Sequence, residues 1–311
     1  MVLRGGLRTA LLHASRRDSV RYAVEHAPVS RGVVKRFVAG DVVGDAVRVS
    51  SELVASGLSV SLDHLGEDTS EPEHAEAAAA AYVTLLGLLQ EAGLAPHVEV
   101  SVKLSAVGQA LDRSLATDLV RRICVAAADA GTTVTLDMED HTTTDSTLET
   151  MRELRADFPW VGAVVQSYLR RTEGDCRDLA VAGSRVRLCK GAYDEPESVA
   201  FTRSRDVDDS YKRCLAILMA GNGYPMVATH DPAMVKEAER LVTECRRTPD
   251  SYEYQMLYGV RPDEQLRLSG EGACVRVYVP YGSDWYGYLM RRLAERPANM
   301  RFFLRSLVTR K

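Results

Sequence analysis

Eight short runs of mostly apolar or β-branched residues in this 311-residue chain carry, at or near their ends, a side chain that can hydrogen bond or ionise. In order these are Asp63, Lys103, Asp137, Gln166, Arg187 with Lys190, the Thr229-His230 pair, Gln255 and Tyr278. An ion in a low-dielectric interior is costly unless it is paired. Singly, each has a bland reading: Asp137 as a loop cap, Lys103 as its scaffold partner, His230-Asp231-Pro232 as a turn. Together they point to a polar pocket. Near the end of the chain, Tyr288, Arg291, Arg292 and Glu295 fall at i, i+3, i+4 and i+7, one face of a helix. Trp285 extends the stripe and argues that this face is covered. Two guanidinium forks about 100° apart can hold a carboxylate bidentately, as lysine cannot. Glu295 is placed to hold an arginine or a polar ligand from the far side. The ligand expected is a small carboxylate.

The elements that must position these residues alternate in type. The strand-like runs are Leu58–Leu62, Val98–Val102, Thr133–Leu136, Val161–Val165, Arg185–Cys189, Met226–Thr229, Tyr252–Met256 and Cys274–Val279. Between them lie helical stretches at Glu73–Glu91, Leu119–Ala130, Ser146–Asp157, Asp178–Ala182, Asp208–Ala220, Ala233–Arg246 and Glu264–Arg267, and Trp285–Glu295 follows the last strand. Pro232 suits the first turn of its helix, where the missing N–H costs little. Eight such units point to a closed parallel (βα)8 barrel, whose chemistry belongs at the carboxyl ends of the strands. No GxGxxG follows a strand, which disfavours a Rossmann site. Residues 1–56 read as a helical lead-in, punctuated by Pro28, Gly40 and Gly44, and residues 57–311 as the catalytic barrel.

The composition excludes several other classes. Lys and Arg number 39 against 43 Asp and Glu, so the formal charge of −4 gives no footprint for nucleic acid. The six cysteines occur singly and fit neither a zinc site nor a disulfide framework. No metal site is expected. No apolar run approaches the ~20 residues that span a bilayer. Met1–Arg17 mixes arginines with leucines but has no continuous apolar stretch, so it reads as an amphipathic leading helix. The residues alone leave two further readings open: a Schiff-base aldolase using Lys103 or Lys190, and a non-catalytic barrel that binds an amino acid.

Seven segments resemble the proline dehydrogenase family, in particular its small monofunctional bacterial members. They are VSVKLSA (100–106), VTLDMED (134–140), VVQSYLRRTEGD (164–175), RVRLCKGAY (185–193), MVATHDP (226–232), YEYQMLYGV (252–260) and VRVYVPYGSDWYGYLMRRLAERPAN (275–299). The resemblance implies a distorted (βα)8 barrel with non-covalent FAD. It also implies oxidation of L-proline to Δ1-pyrroline-5-carboxylate by hydride transfer to flavin N5, with a quinone as electron acceptor. By motif, Arg291, Arg292 and Lys103 match the grip on the proline carboxylate, and Glu67 the acid that pairs with the arginine side. Tyr278, Tyr288 and Leu257 match the walls around the ring, and Asp137 the aspartate beneath it, partnered by Lys103. Met138, Gln166, Arg187, Lys190, Gly191, Ala192, Thr229, His230 and Glu295 match flavin contacts, with Arg187 near N5. Asp137 and Arg187 are thus the expected catalytic residues. The dispersed cysteines fit a cytoplasmic protein, and the charge of −4 offers no polybasic patch, so contact with the inner face of the membrane is expected to be at most transient and peripheral; oligomerisation is left open.

Overall fold

The computed structural model describes residues 34–66 and 68–295; the side chains of Arg291 and of residues 293–295 are outside that description. The expected leading helix at Met1–Arg17 also lies outside it. Eight strands alternate with helices: α1 Val43–Ala55, β1 Ser59–His64, α2 Pro72–Glu91, β2 Val98–Val102, α3 Arg113–Ala130, β3 Val134–Leu136, α4 Thr144–Arg155 and β4 Ala163–Gln166. The order continues with α5 Thr172–Leu179, β5 Arg185–Cys189, α6 Ser204–Ala220, β6 Tyr224–Ala228, α7 Pro232–Glu244, β7 Glu253–Leu257, α8 Pro262–Gly270, β8 Val275–Tyr281 and α9 Trp285–Glu295. All paired strands run parallel, in the order β3-β2-β1-β8-β7-β6-β5-β4. This is the distorted (βα)8 barrel expected from the sequence.

Side chains alternate across a strand, so each strand has an inner and an outer set. The outer set is apolar: Val60 and Leu62, Val98, Val100 and Val102, Val186 and Leu188, Val275, Val277 and Val279 are buried in one cluster with the helices. Fully burying such a side chain stabilises by about 1.5–3 kcal/mol. The inner set is polar instead of the usual layers of branched aliphatics. Ser61, Glu99 and Ser101, Arg185 and Arg187, Glu253 and Gln255, Arg276 and Tyr278 meet one another across the axis, and Asp63 meets Lys103 above them.

The ring closes least regularly between β3 and β4. There the contact is a single bridge, Thr135 to Gly162, with Leu136 N–H donating to Gly162 O and Gly162 N–H to Val134 O at 3.0 and 2.8 Å. A Cβ on Gly162 would stand 2.6 Å from Thr135 Oγ1, so only glycine lets the two strands approach this closely.

Strand limits fall within two residues of those expected, whereas some helices differ more. The fifth helix runs over Thr172–Leu179, not Asp178–Ala182. Thr172 Oγ1 donates to Gln166 O at 2.6 Å and turns the chain straight off β4, with Glu173 and Asp175 favourably placed in the first turn. Helix α3 starts at Arg113 because the Asp112 carboxylate accepts from Ser114 N–H at 2.7 Å. Gly44 lies inside α1 and does not interrupt it.

Gly162→Ala should cost roughly 1–3 kcal/mol by overpacking the seam. Urea denaturation checks this, and most of the loss should vanish in a Thr135→Ala background. An equal loss in both backgrounds would contradict the steric origin.

Candidate active site

At the carboxyl mouth of the barrel, Lys103 follows β2 and is 7% exposed. Its Nζ donates to both oxygens of Asp63, at 2.7 and 2.6 Å, and lies 3.4 Å from the Tyr278 hydroxyl. Asp137 is farther, at 3.8 Å. The expected Lys103–Asp137 ion pair is present, but the ammonium's two short bonds go to Asp63. Asp137 is held more closely by Arg187 and Ser101 on Oδ1, at 2.6 and 2.7 Å, and by the Tyr278 hydroxyl on Oδ2, at 2.7 Å.

Arg187 is the hub below. Its Nε donates to Gln255 Oε1, Nη1 to Asp137 and to Ser101 Oγ, and Nη2 to Ser61 Oγ at 3.3 Å, with Glu99 3.5 Å away. The planar fork of five N–H groups thus has a partner in each direction. Burial pulls its pKa down, yet Asp137 and Glu99 outweigh this and leave it raised, so the charge is permanent. Burial pushes the Asp63 carboxyl above its usual range despite Lys103, and Asp137 adds to the rise. Burial, then Asp137 and Asp63, push the Tyr278 hydroxyl well up, so it stays a proton donor.

A cap covers one side of the mouth. Tyr288 and Leu289 from α9 are buried with Leu65 and Met290, and Tyr278 packs against the same cluster. The Arg292 guanidinium lies 5.2 Å from the centre of the Tyr288 ring. Of the stripe read from spacing, Tyr288 is buried, and Trp285 and Arg292 are half-buried. Leu257, half-buried at the end of β7, takes its place beside His230, whose Nε2 accepts the Leu257 N–H at 2.8 Å. That bond leaves the proton of a neutral His230 on Nδ1.

The remaining expected contacts lie around the ends of β4 to β6. Gln166 is buried and donates to Glu139 O at 2.8 Å, next to buried Met138. Thr229 is buried, and its Oγ1 accepts from Asp231 N–H. Lys190 is not brought into the Arg187 network; it pairs with Asp208 and, at 2.7 Å, with Asp231. Burial lowers its pKa, but the two carboxylates outweigh it and leave it raised, so neither Lys190 nor the ion-paired Lys103 suits a Schiff-base nucleophile. Gly191 has φ +104°, and a Cβ there would enter the Tyr168 ring; Ala192 follows, half-buried. Glu195 ties this loop down by accepting from Tyr168 OH at 3.1 Å and pairing with His141. Glu67 and the side chains of Arg291 and Glu295 lie outside the described residues.

A family model described as proline dehydrogenase matches residues 46–305. The chain belongs to the proline dehydrogenase family. It is 40% identical to a proline dehydrogenase of Deinococcus radiodurans over 281 residues, covering 89% of this chain and 90% of that one. It is 38% identical to proline dehydrogenase 1 of Bacillus subtilis over 274 residues, covering 88% and 90%. Its fold matches the crystal structure of proline utilization A from Bdellovibrio bacteriovorus inactivated by N-propargylglycine, with a TM-score of 0.79 at 25% identity. That match covers 86% of this chain, which spans about a third (33%) of the longer protein. Membership makes the chain an oxidoreductase of a flavin-dependent family. No helix among the described residues is long and apolar enough to cross a membrane.

The donor set fits a flavin of the kind that family uses. Lys190 offers a permanent cation at the strand ends, and the Gln166 amide, the Thr229 hydroxyl and a neutral His230 Nδ1–H add neutral hydrogen-bonding groups. Positive φ at Gly191 keeps the backbone bare beside them. Glu99 and Ser101 are site-building residues to which a reading of strand ends gives no role, and Asp63, read there only as a strand-end polar group, joins them. The signal for them is their placement two and four positions before Lys103, or at the alternate position in β1.

Two outcomes test this geometry. Asp63→Ala should destabilise by about 3–5 kcal/mol by leaving Lys103 without its closest anion, and Asp63→Leu with Lys103→Met should recover most of it. Urea denaturation of the three proteins decides it. His64, beside the pair, has its pKa held below the usual 6.5 by burial and then by the Lys103 cation. As pH falls below 6.5 the unfolded chain takes up that proton first, so stability should decline there. A His64→Phe chain should lose that part of the slope in denaturation measured against pH.

Proposed function

We propose that this protein oxidises L-proline to Δ1-pyrroline-5-carboxylate, the first step of proline breakdown, with non-covalent FAD as cofactor and a quinone taking the electrons. The observation that carries the reading is the linked set Asp63–Lys103–Tyr278–Asp137–Arg187 beneath the α9 cap, which sets cations and a tyrosine wall around one mouth. Bound FAD supplies the acceptor for the hydride equivalent that leaves C5 of the substrate. Lys103, Arg291 and Arg292 bind the carboxylate, fixing the ring; such positioning is worth up to ~7–11 kcal/mol of barrier. Tyr278, Tyr288 and Leu257 wall the ring and exclude water. Asp137 locks Tyr278 and Arg187 in one orientation, and Arg187 places a fixed positive charge near flavin N5. Glu67 closes the site by pairing with the arginine side. Met138, Gln166, Lys190, Gly191, Ala192, Thr229, His230 and Glu295 hold the cofactor. The protein works in the cytoplasm and meets the membrane face, where the quinone lies, only peripherally.

The test is the visible spectrum of the purified protein. A flavin spectrum bleached by anaerobic L-proline is expected; a colourless protein trapped by borohydride with a carbonyl substrate would support the aldolase reading. Arg292→Met should raise KM for proline about 10- to 150-fold, the loss of about 1.5–3 kcal/mol from a charged hydrogen bond, while flavin stays bound. An unchanged KM with lost flavin would remove Arg292 from the carboxylate grip.

A further inference from the structure

Below the mouth, the buried ions that the proposed chemistry leaves unused gather around Glu99, which is 1% exposed. Its Oε2 accepts from Arg185 at 2.7 Å and from Thr133 Oγ1 at 2.8 Å. Its Oε1 accepts from Thr135 Oγ1 at 3.2 Å and faces Arg187 at 3.5 Å and Arg276 at 3.8 Å. Arg276 already has its own anion, since Glu253 accepts from Nε on both oxygens at 2.9 and 3.1 Å. The Glu99 charge is thus shared between Arg185 and Arg276, at the floor, and Arg187, in the site. Despite desolvation, the three guanidiniums hold the Glu99 carboxyl far below its usual range, so the charge is constant. On the far side, Arg185 and Arg276 border a well of about 210 Å3 at the amino-terminal face of the barrel.

We propose that Glu99 is a positioning residue for Arg187: its carboxylate fixes that guanidinium from beneath, offsets its charge, and thereby sets the flavin's reduction potential. This rests on the functional reading, which places Arg187 near N5. The Glu99–Arg187 separation is too long for a strong hydrogen bond, so the coupling is a charge effect; buried charges are weakly screened and act across such a gap. A purely structural carboxylate would leave the potential alone. A charge-setting one makes the outcome depend on the sign of the charge removed.

The experiment measures the potential of the flavin-loaded enzyme spectroelectrochemically for the wild type, Glu99→Gln and Arg185→Met. Glu99→Gln leaves positive charge uncompensated beside Arg187 and should shift the oxidised-to-reduced ratio at fixed poise tenfold towards reduced, about 30 mV upward for a two-electron couple. Arg185→Met leaves more of the Glu99 charge to act on Arg187 and should shift the ratio the other way. Unchanged potentials, or shifts of the same sign, overturn the proposal even if melting temperatures fall. If Glu99→Gln does not fold, the direction of the Arg185→Met shift decides alone. A wild-type chain that binds no flavin, or whose flavin proline does not reduce, overturns the functional reading and the inference with it.

Discussion

A barrel wall that turns its apolar side chains outward has to fill its axis with something else, and here the filling is paired charge. Asp63, Glu99, Asp137 and Glu253 stand against Lys103, Arg185, Arg187 and Arg276, four anions and four cations linked through the interior. Buried pairs of this kind gain little over apolar packing, but losing one partner is expensive. The balance is therefore a constraint more than a source of stability. It fixes where each cation can point, and it delivers Arg187 and Lys103 to the mouth already oriented.

The rest of the fold accommodates that constraint. The helices supply the hydrophobic stabilisation the interior gives up, by packing on the outer faces of the strands. Gly162 lets the ring close at the β3–β4 seam, which brings Asp137, one residue beyond β3, level with Arg187. Helix α9 then adds what the strands cannot, an apolar cluster that carries Tyr288 to Tyr278 and sets Arg292 against the Tyr288 ring.

Much of this was legible from the residues. Alternation in strands such as VEVSVK (98–103) and the polar ends of successive runs were enough for the barrel and for Lys103, Asp137, Arg187 and Tyr278. Which partner lies nearest was not legible, because that depends on how side chains are directed across the barrel axis. Lys103 does pair with Asp137, but its two short bonds go to Asp63. Glu99 escapes a search confined to strand ends, since it sits near the start of β2. Helix starts were blurred where one side-chain bond decides them, as at Thr172 and Asp112.

The ionic axis also has a thermal consequence. Hydration of charged groups becomes less favourable on heating, so the desolvation cost of keeping these eight side chains out of water shrinks while apolar burial levels off. The ionic axis of this barrel therefore becomes less costly on heating, while its apolar jacket gains nothing in step.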